Sequence, residues 1–317
     1  MHPEPLLCTP VSFSRYAEAL HEPYHAYNAA AFSEANAHKC ESVHPLLFHD
    51  TKSRLGIIGG VKDGLFQSPF SAPYGGFSFA RQNVHFPVME RATELLEEYV
   101  RGLGLRGIRL VLPPLAYNRV FLSKLMNVLY RAGYSISNID LDFYIELQHP
   151  VPYEERMWYN ARKNLHQSRQ QPFRMVQCNG QSADRELVYR IIAENRRAKQ
   201  KPMHMSLEEV LLTATLIPAD FFLLYLQEEP VASALVFESA PGIRYVTHWG
   251  DLPGYSQHRP VNFLSHYLVE HYAKEGLQYL HIGIGTEDSV PNYGLCEFKE
   301  SIGCTLTPKL SFEKQWT

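Results

Sequence analysis

Residues 220–250 constrain this chain most, because three strand-like segments follow one another there with almost no loop. "DFFLLYLQ" (220–227) is apolar, "EEP" turns the chain, and "VASALVFES" (231–239) alternates back. "PG" turns it again into "IRYVTHWG" (243–250). Runs this short with turn residues between them predict an antiparallel meander. A long helix follows over 261–276, with Phe263, Leu264, Tyr267, Leu268 and Tyr272 at helical spacing and Gly276 as its stop. "LQYLHIGIG" (277–285) is then a buried strand, "NYGLCEFKESIG" (292–303) a short helix, and "LTPKLSFEKQW" (306–316) the last strand. Upstream lie a strand at 173–178 and a helix over 183–200, with Asp184 near its start. A second helix over 206–216 opens with Ser206 and Glu209 in capping-box spacing. The order β-α-α-β-β-β-α-β-α-β excludes a doubly wound fold, which alternates strand and helix throughout.

The first half repeats this rhythm less clearly. Helical segments over 14–39, broken at Pro23, lead to strands over 44–77. A helix over 88–104, a buried strand at 108–114, a helix over 118–134 and a strand over 138–147 follow. Two prolines and a charged helix near 148–164 mark the expected joint, so the domains are expected at 1–150 and 151–317. The expected fold class is α/β, of the α+β mixed-sheet kind. It consists of two domains in tandem, each a mostly antiparallel mixed sheet flanked by helices.

Composition narrows the function classes. A net charge of −3 argues against a protein that coats nucleic acid, and no DNA partner is expected. Five cysteines without metal-type spacing point to reduced thiols and a cytoplasmic setting. The first residues lack a basic leader, and no apolar run is long enough to span a membrane. "HEPYH" (21–25) matches a zinc-protease string, but Pro23 interrupts the turn that such a site needs, so no metal is expected. "GLGLRG" (102–107) closes a helix rather than opening one and reads as a stop and turn, not a dinucleotide loop. "RRAKQK" (196–201) is a solvated helix end with room for a tRNA or phosphate contact.

The element order resembles the GNAT acyltransferase fold, present twice, and the tandem arrangement resembles its FemAB-like branch. The stretch 259–288 is similar to that branch's proline-led helix, glycine stop and strand ending in glycine. Leu295, Phe298, Lys299 and Gly303 are similar to its leucine, Phe-Lys, glycine pattern, and "SPFSAPYGGF" (68–77) to its serine-proline and tyrosine-glycine-glycine strand. The loop "DLPGYSQHRPVN" departs from the glycine-rich pyrophosphate loop of ordinary GNAT enzymes, holding only Gly254.

The resemblance implies transfer of an acyl or aminoacyl group to an amine, with acyl-CoA (acetyl-CoA included) or aminoacyl-tRNA as donor. The acceptor would be an amine-bearing small molecule, a peptide or a cell-wall precursor. It implies that Lys299 stabilises the carbonyl at the transfer step. It also implies a gap between the strands around 247–251 and 282–286, able to take an extended donor as an added strand. His248 is a candidate general base, since an ordinary imidazole titrates near ~6.5. Tyr293 is a candidate acid toward the leaving group. Asp251, Glu287 and Asp288 are candidates for the acceptor ammonium, His258 and Arg259 for a donor phosphate, and Phe298 for the donor site. Two rival expectations are a catalytically silent tandem GNAT scaffold and an acetyl-CoA-dependent N-acetyltransferase with a degenerate loop.

Overall fold

The computed structural model describes residues 5–316 apart from 22, 82, 179 and 181. The first four residues, and Glu22 of "HEPYH", therefore lie outside the described residues. The chain divides into two compact units, one of residues 1–140 with 307–317 and the other of residues 141–306.

In the first unit the chain runs β1 (Leu7–Pro10), α1 (Phe13–Ala19), α2 (Ala30–Ala35), β2 (Ser42–His49), β3 (Ser53–Lys62), β4 (Leu65–Ser68) and β5 (Ser78–Phe79). It continues through α3 (Phe86–Gly102), β6 (Gly107–Val111), α4 (Arg119–Arg131) and β7 (Ser135–Glu146). Strands β1 to β4 form an antiparallel meander, and β4 pairs β6 in parallel. The apolar faces of α3 and α4, including Leu96, Val100, Leu122 and Leu125, share one core with Ile57, Phe66, Ile108 and Leu110. Gly104 takes a left-handed φ of 72° directly after α3 and before β6, so "GLGLRG" is a helix stop, as its place in the sequence implies.

The second unit holds α5 (Tyr153–Arg156), α6 (Tyr159–Arg169), β8 (Phe173–Gln177), α7 (Ser182–Ala198), α8 (Leu207–Leu216), β9 (Ala219–Leu226) and β10 (Glu229–Ala240). After these come β11 (Ile243–Asp251), α9 (Pro260–Lys274), β12 (Tyr279–Ile284), β13 (Thr286–Glu287), β14 (Val290–Pro291) and α10 (Tyr293–Ser301). Strands β9 to β11 are the antiparallel meander expected from the sequence, and β8 pairs antiparallel with β9 at its edge. β11 pairs β12 in parallel, and β12 pairs the second half of β7 antiparallel. Leu264, Leu268, Val269 and Tyr272 of α9 pack on Phe222, Val236 and Val246. Burying side chains of this size stabilises by about 1.5–3 kcal/mol each. Ser206 and Glu209 form the capping box at the start of α8, while Asp184 lies inside the first turn of α7.

The last strand, β15 (Thr305–Gln315), pairs with β6 in the first unit. The unit boundaries therefore fall inside β7 and at the start of β15, where a single linear joint near 150 was expected. The physical reason is that an antiparallel neighbour can be supplied from any point in the chain. Neither strand's own residues encode which edge it completes.

Candidate active site

The site begins where β11 and β12 part. They pair at Ile243–Tyr279, Arg244–Leu280 and Tyr245–His281, and no pairing continues beyond. Both strands carry an irregularity there. The β10–β11 register shifts between Leu235 and Val236, whose partners are His248 and Val246, leaving Thr247 as the extra residue. The β12–β7 register shifts between His281 and Gly283. Bulges of this kind bend a strand and re-aim its side chains. Gly283 has φ 80°, and a Cβ there would stand 3.2 Å from the Tyr245 ring and hydroxyl, so both its backbone angle and its neighbour require glycine.

Parting two strands leaves backbone carbonyls without the partner's N–H, at a cost of about 1–3 kcal/mol for each group left buried and unsatisfied. Here Lys299 meets that need. It is 3% exposed, and its Nζ donates to the carbonyls of Ile282 (3.0 Å), Gly283 (2.8 Å) and Ile284 (2.8 Å). Its ammonium also lies 5.3 Å from the centre of the Phe143 ring. Burial pushes its pKa down to about 8, against the opposing pull of Asp142, Cys304 and Cys296.

A second buried pair sits at the same apex. His281 Nε2 donates to Asp142 Oδ1 at 2.5 Å, and both residues are nearly inaccessible. Tyr245 stacks on the His281 ring, with centroids 4.2 Å apart and planes at 16°. Sequence reasoning missed this group. The available signal was one histidine inside the otherwise apolar "YLHIGI", since a buried polar side chain needs a partner.

Further along β11, His248 is half-buried, with an Nδ1 that has no hydrogen-bond partner among the described residues. Burial lowers its pKa to about 4, and Arg196 and His204 push the same way. The imidazole is therefore neutral through the physiological range. Asp251 closes the strand. Its carbonyl and Oδ1 accept from Asn195 Nδ2 of α7 at 2.6 and 3.1 Å.

Gly250 lets that contact form, because a Cβ there would meet Asn195 Cγ at 2.5 Å. Gly250→Ala is accordingly expected to destabilise the protein by about 1–3 kcal/mol in urea unfolding, as overpacking of a tight contact does. Gly102→Ala, whose Cβ would meet nothing within 4 Å, should stay within about 0.5 kcal/mol of the parent. Equal effects for the two would show that Asn195 yields without cost.

The remaining candidates are spread more widely. Glu287 of β13 is exposed and lies 3.6 Å from Lys201. Asp288 and Ser289, at φ 49° and 66°, make the tight turn to β14. Asn292 caps α10 by accepting from the Leu295 N–H, and Tyr293 beside it is 80% exposed. Phe298 reaches the Trp249 ring edge-on at 6.3 Å, tying α10 to β11. His258 Nδ1 lies 2.7 Å from Gln171 Oε1, and Arg259 stands exposed before α9 at φ 59°. The structure thus brings Lys299, Phe298, His248 and Asp251 to the parted strands and their immediate supports. Tyr293 projects outward from α10, and His258 and Arg259 stand apart at the start of α9. Among the described residues, no group of three or more His, Cys, Asp or Glu is arranged to hold a metal ion, and no helix is long and apolar enough to cross a membrane.

Comparison with known proteins places this geometry. Residues 158–299 match the acetyltransferase (GNAT) domain family. No curated protein matches the chain. Among solved structures, FemX superposes with a TM-score of 0.69 at 9% identity, covering 98% of this chain and 97% of that one. L-PGS from Bacillus licheniformis gives 0.60 at 12% identity, with 98% and 92% covered. A tandem GNAT protein from the clavulanic acid biosynthesis pathway gives 0.52 at 8% identity, with 98% of each chain covered.

Proposed function

Given that this chain has the FemAB-like tandem GNAT fold, we propose that it transfers an acyl or aminoacyl group from an activated donor to an amine. The reacting centre is the gap between β11 and β12. The single observation that carries this reading is the loss of pairing after Tyr245 and His281, which leaves the edge of β11 open to an extended ligand.

The chemistry asks little of the protein. The amine nitrogen attacks the donor carbonyl, and the tetrahedral intermediate expels a thiolate or a ribose oxygen. Holding the two reactants together supplies about 7–11 kcal/mol of the barrier. His248, neutral through the physiological range, takes the proton that the attacking amine sheds. Asp251, Glu287 and Asp288 attract the acceptor's ammonium before it loses that proton. Phe298 bounds the donor site, and Tyr293, which projects outward from α10, serves as acid only toward a leaving group that extends out of the gap. Lys299 contributes its positive charge at the apex of the gap.

The donor is acyl-CoA or aminoacyl-tRNA, its phosphates met by His258 and Arg259. Pro260 removes one N–H from the first position of α9, which leaves that helix start poorer in donors for a pyrophosphate and favours the ester donor. The acceptor is a small amine, a peptide or a cell-wall precursor, and the five free thiols suit work in the cytoplasm.

A thermal-shift panel with acetyl-CoA, a long-chain acyl-CoA, charged tRNA and uncharged tRNA tests the donor. A true donor at one hundred times its Kd stabilises by about 2.7 kcal/mol. Charged tRNA is expected to raise Tm more than uncharged tRNA, and the acyl-CoA compounds less than either. If no donor shifts Tm and no label passes to an amine, the protein is a binding scaffold and the transferase reading fails.

A further inference from the structure

We infer that Lys299 is a positioning residue that holds β12 apart from β11, rather than a direct hydrogen-bond donor to the reacting carbonyl. The inference rests on the proposed function, since it assigns the role of a residue within that same gap.

The argument is one of valence. A lysine ammonium has three N–H groups and no others. All three have acceptors within 3.0 Å: the carbonyls of Ile282, Gly283 and Ile284. These are the first three residues of β12 after its last pairing with β11. Three consecutive carbonyls of an ordinary strand cannot converge on one atom, because successive carbonyls point to opposite sides. They converge here because β12 is irregular between His281 and Gly283, and Gly283 takes φ 80°. Lysine and bulge therefore require each other. Without the ammonium the three oxygens would need other N–H partners, from β11 on one edge of β12 or from β7, which pairs Gly283 and Ile284, on the other. Without the bulge at least one of the three carbonyls would point away from the ammonium. The residue reaches this place from α10, whose Phe298 also contacts Trp249 of β11. One helical turn thus fixes both sides of the parting.

The test compares the wild type with Lys299→Met, which keeps the length and removes the donors. In the ligand-free protein, hydrogen exchange at the amides of 246–250 and 282–286 should change by at least 10-fold, while amides of the first unit stay within 2-fold. If a donor is turned over, KM for that donor should rise at least 10-fold, and by more than kcat falls. Unchanged exchange, or a pure loss of kcat with KM unaltered, would overturn the inference and return Lys299 to the carbonyl itself. Should Lys299→Met fail to fold, the wild type labelled with 15N-lysine decides. The Lys299 ammonium protons should exchange with water at least 10-fold more slowly than those of exposed lysines, and equal rates would refute the three-carbonyl cage. The exchange measurements need no substrate, so a protein that acylates nothing would defeat the proposed function without touching this result.

Discussion

Replacing His248 with alanine is expected to lower kcat/KM for amine acylation by about 10²–10⁴-fold, the usual contribution of a positioned general base. The expectation rests on two features that coincide in few histidines of this chain. The ring lies beyond the point where β11 and β12 separate, and its Nδ1 has no partner among the described residues. Burial, Arg196 and His204 together depress its pKa to about 4, so the base form is present from about pH 5 upward. Two consequences separate catalysis from architecture. The acid limb of the wild-type pH profile should follow the acceptor amine rather than an enzymic group near pH 6.5. His248→Gln, which preserves size and polarity, should be as inactive as the alanine variant while unfolding at the wild-type urea midpoint. Initial rates with the donor found in the thermal-shift panel provide the measurement. A loss smaller than about 3-fold in both variants would remove His248 from the mechanism.

The second large effect concerns acid stability and lies in the first unit. His25 is fully buried, ringed by Tyr24, Tyr27, Tyr74 and Tyr117, and neither ring nitrogen makes a well-formed hydrogen bond. Burial lowers its pKa from 6.5 to about 3. As pH falls, the unfolded chain takes up the proton first. The contribution of His25 is therefore complete above pH 6.5 and is lost progressively as pH drops toward 3. By about pH 4 the loss reaches roughly 3 kcal/mol, at 1.36 kcal/mol for each unit. His25→Phe keeps an aromatic ring in the cage and has no proton to gain. Urea unfolding of both proteins between pH 7 and 4 should show the wild type losing about 3 kcal/mol relative to the variant. Parallel stability curves would mean that the cage admits a proton without cost.

Much of the fold was legible because it is written in local periodicity. The meander over 220–250, the apolar face of α9, the capping box at Ser206 and the glycine stop at Gly104 are each set by neighbours within a few residues. The site was legible only in part. A lysine between Phe298 and Glu300 on a nine-residue helix carries no periodic mark of burial, and the three carbonyls that hold it lie about sixteen residues upstream. The Asp142–His281 pair joins residues 139 apart, and each alone reads as one polar residue in an apolar strand.

By itself the sequence determined that the second half holds a meander, a long helix and a buried strand after it. Those outcomes follow from side-chain period and turn chemistry, which act over a few residues. Tertiary structure alone decided that β7 and β15 complete different units and that Lys299 is drawn inside to serve the carbonyls left where β11 and β12 part. Each is settled by the need to satisfy buried backbone groups with whatever partner the packed fold brings near, and that partner is not encoded at the position it serves.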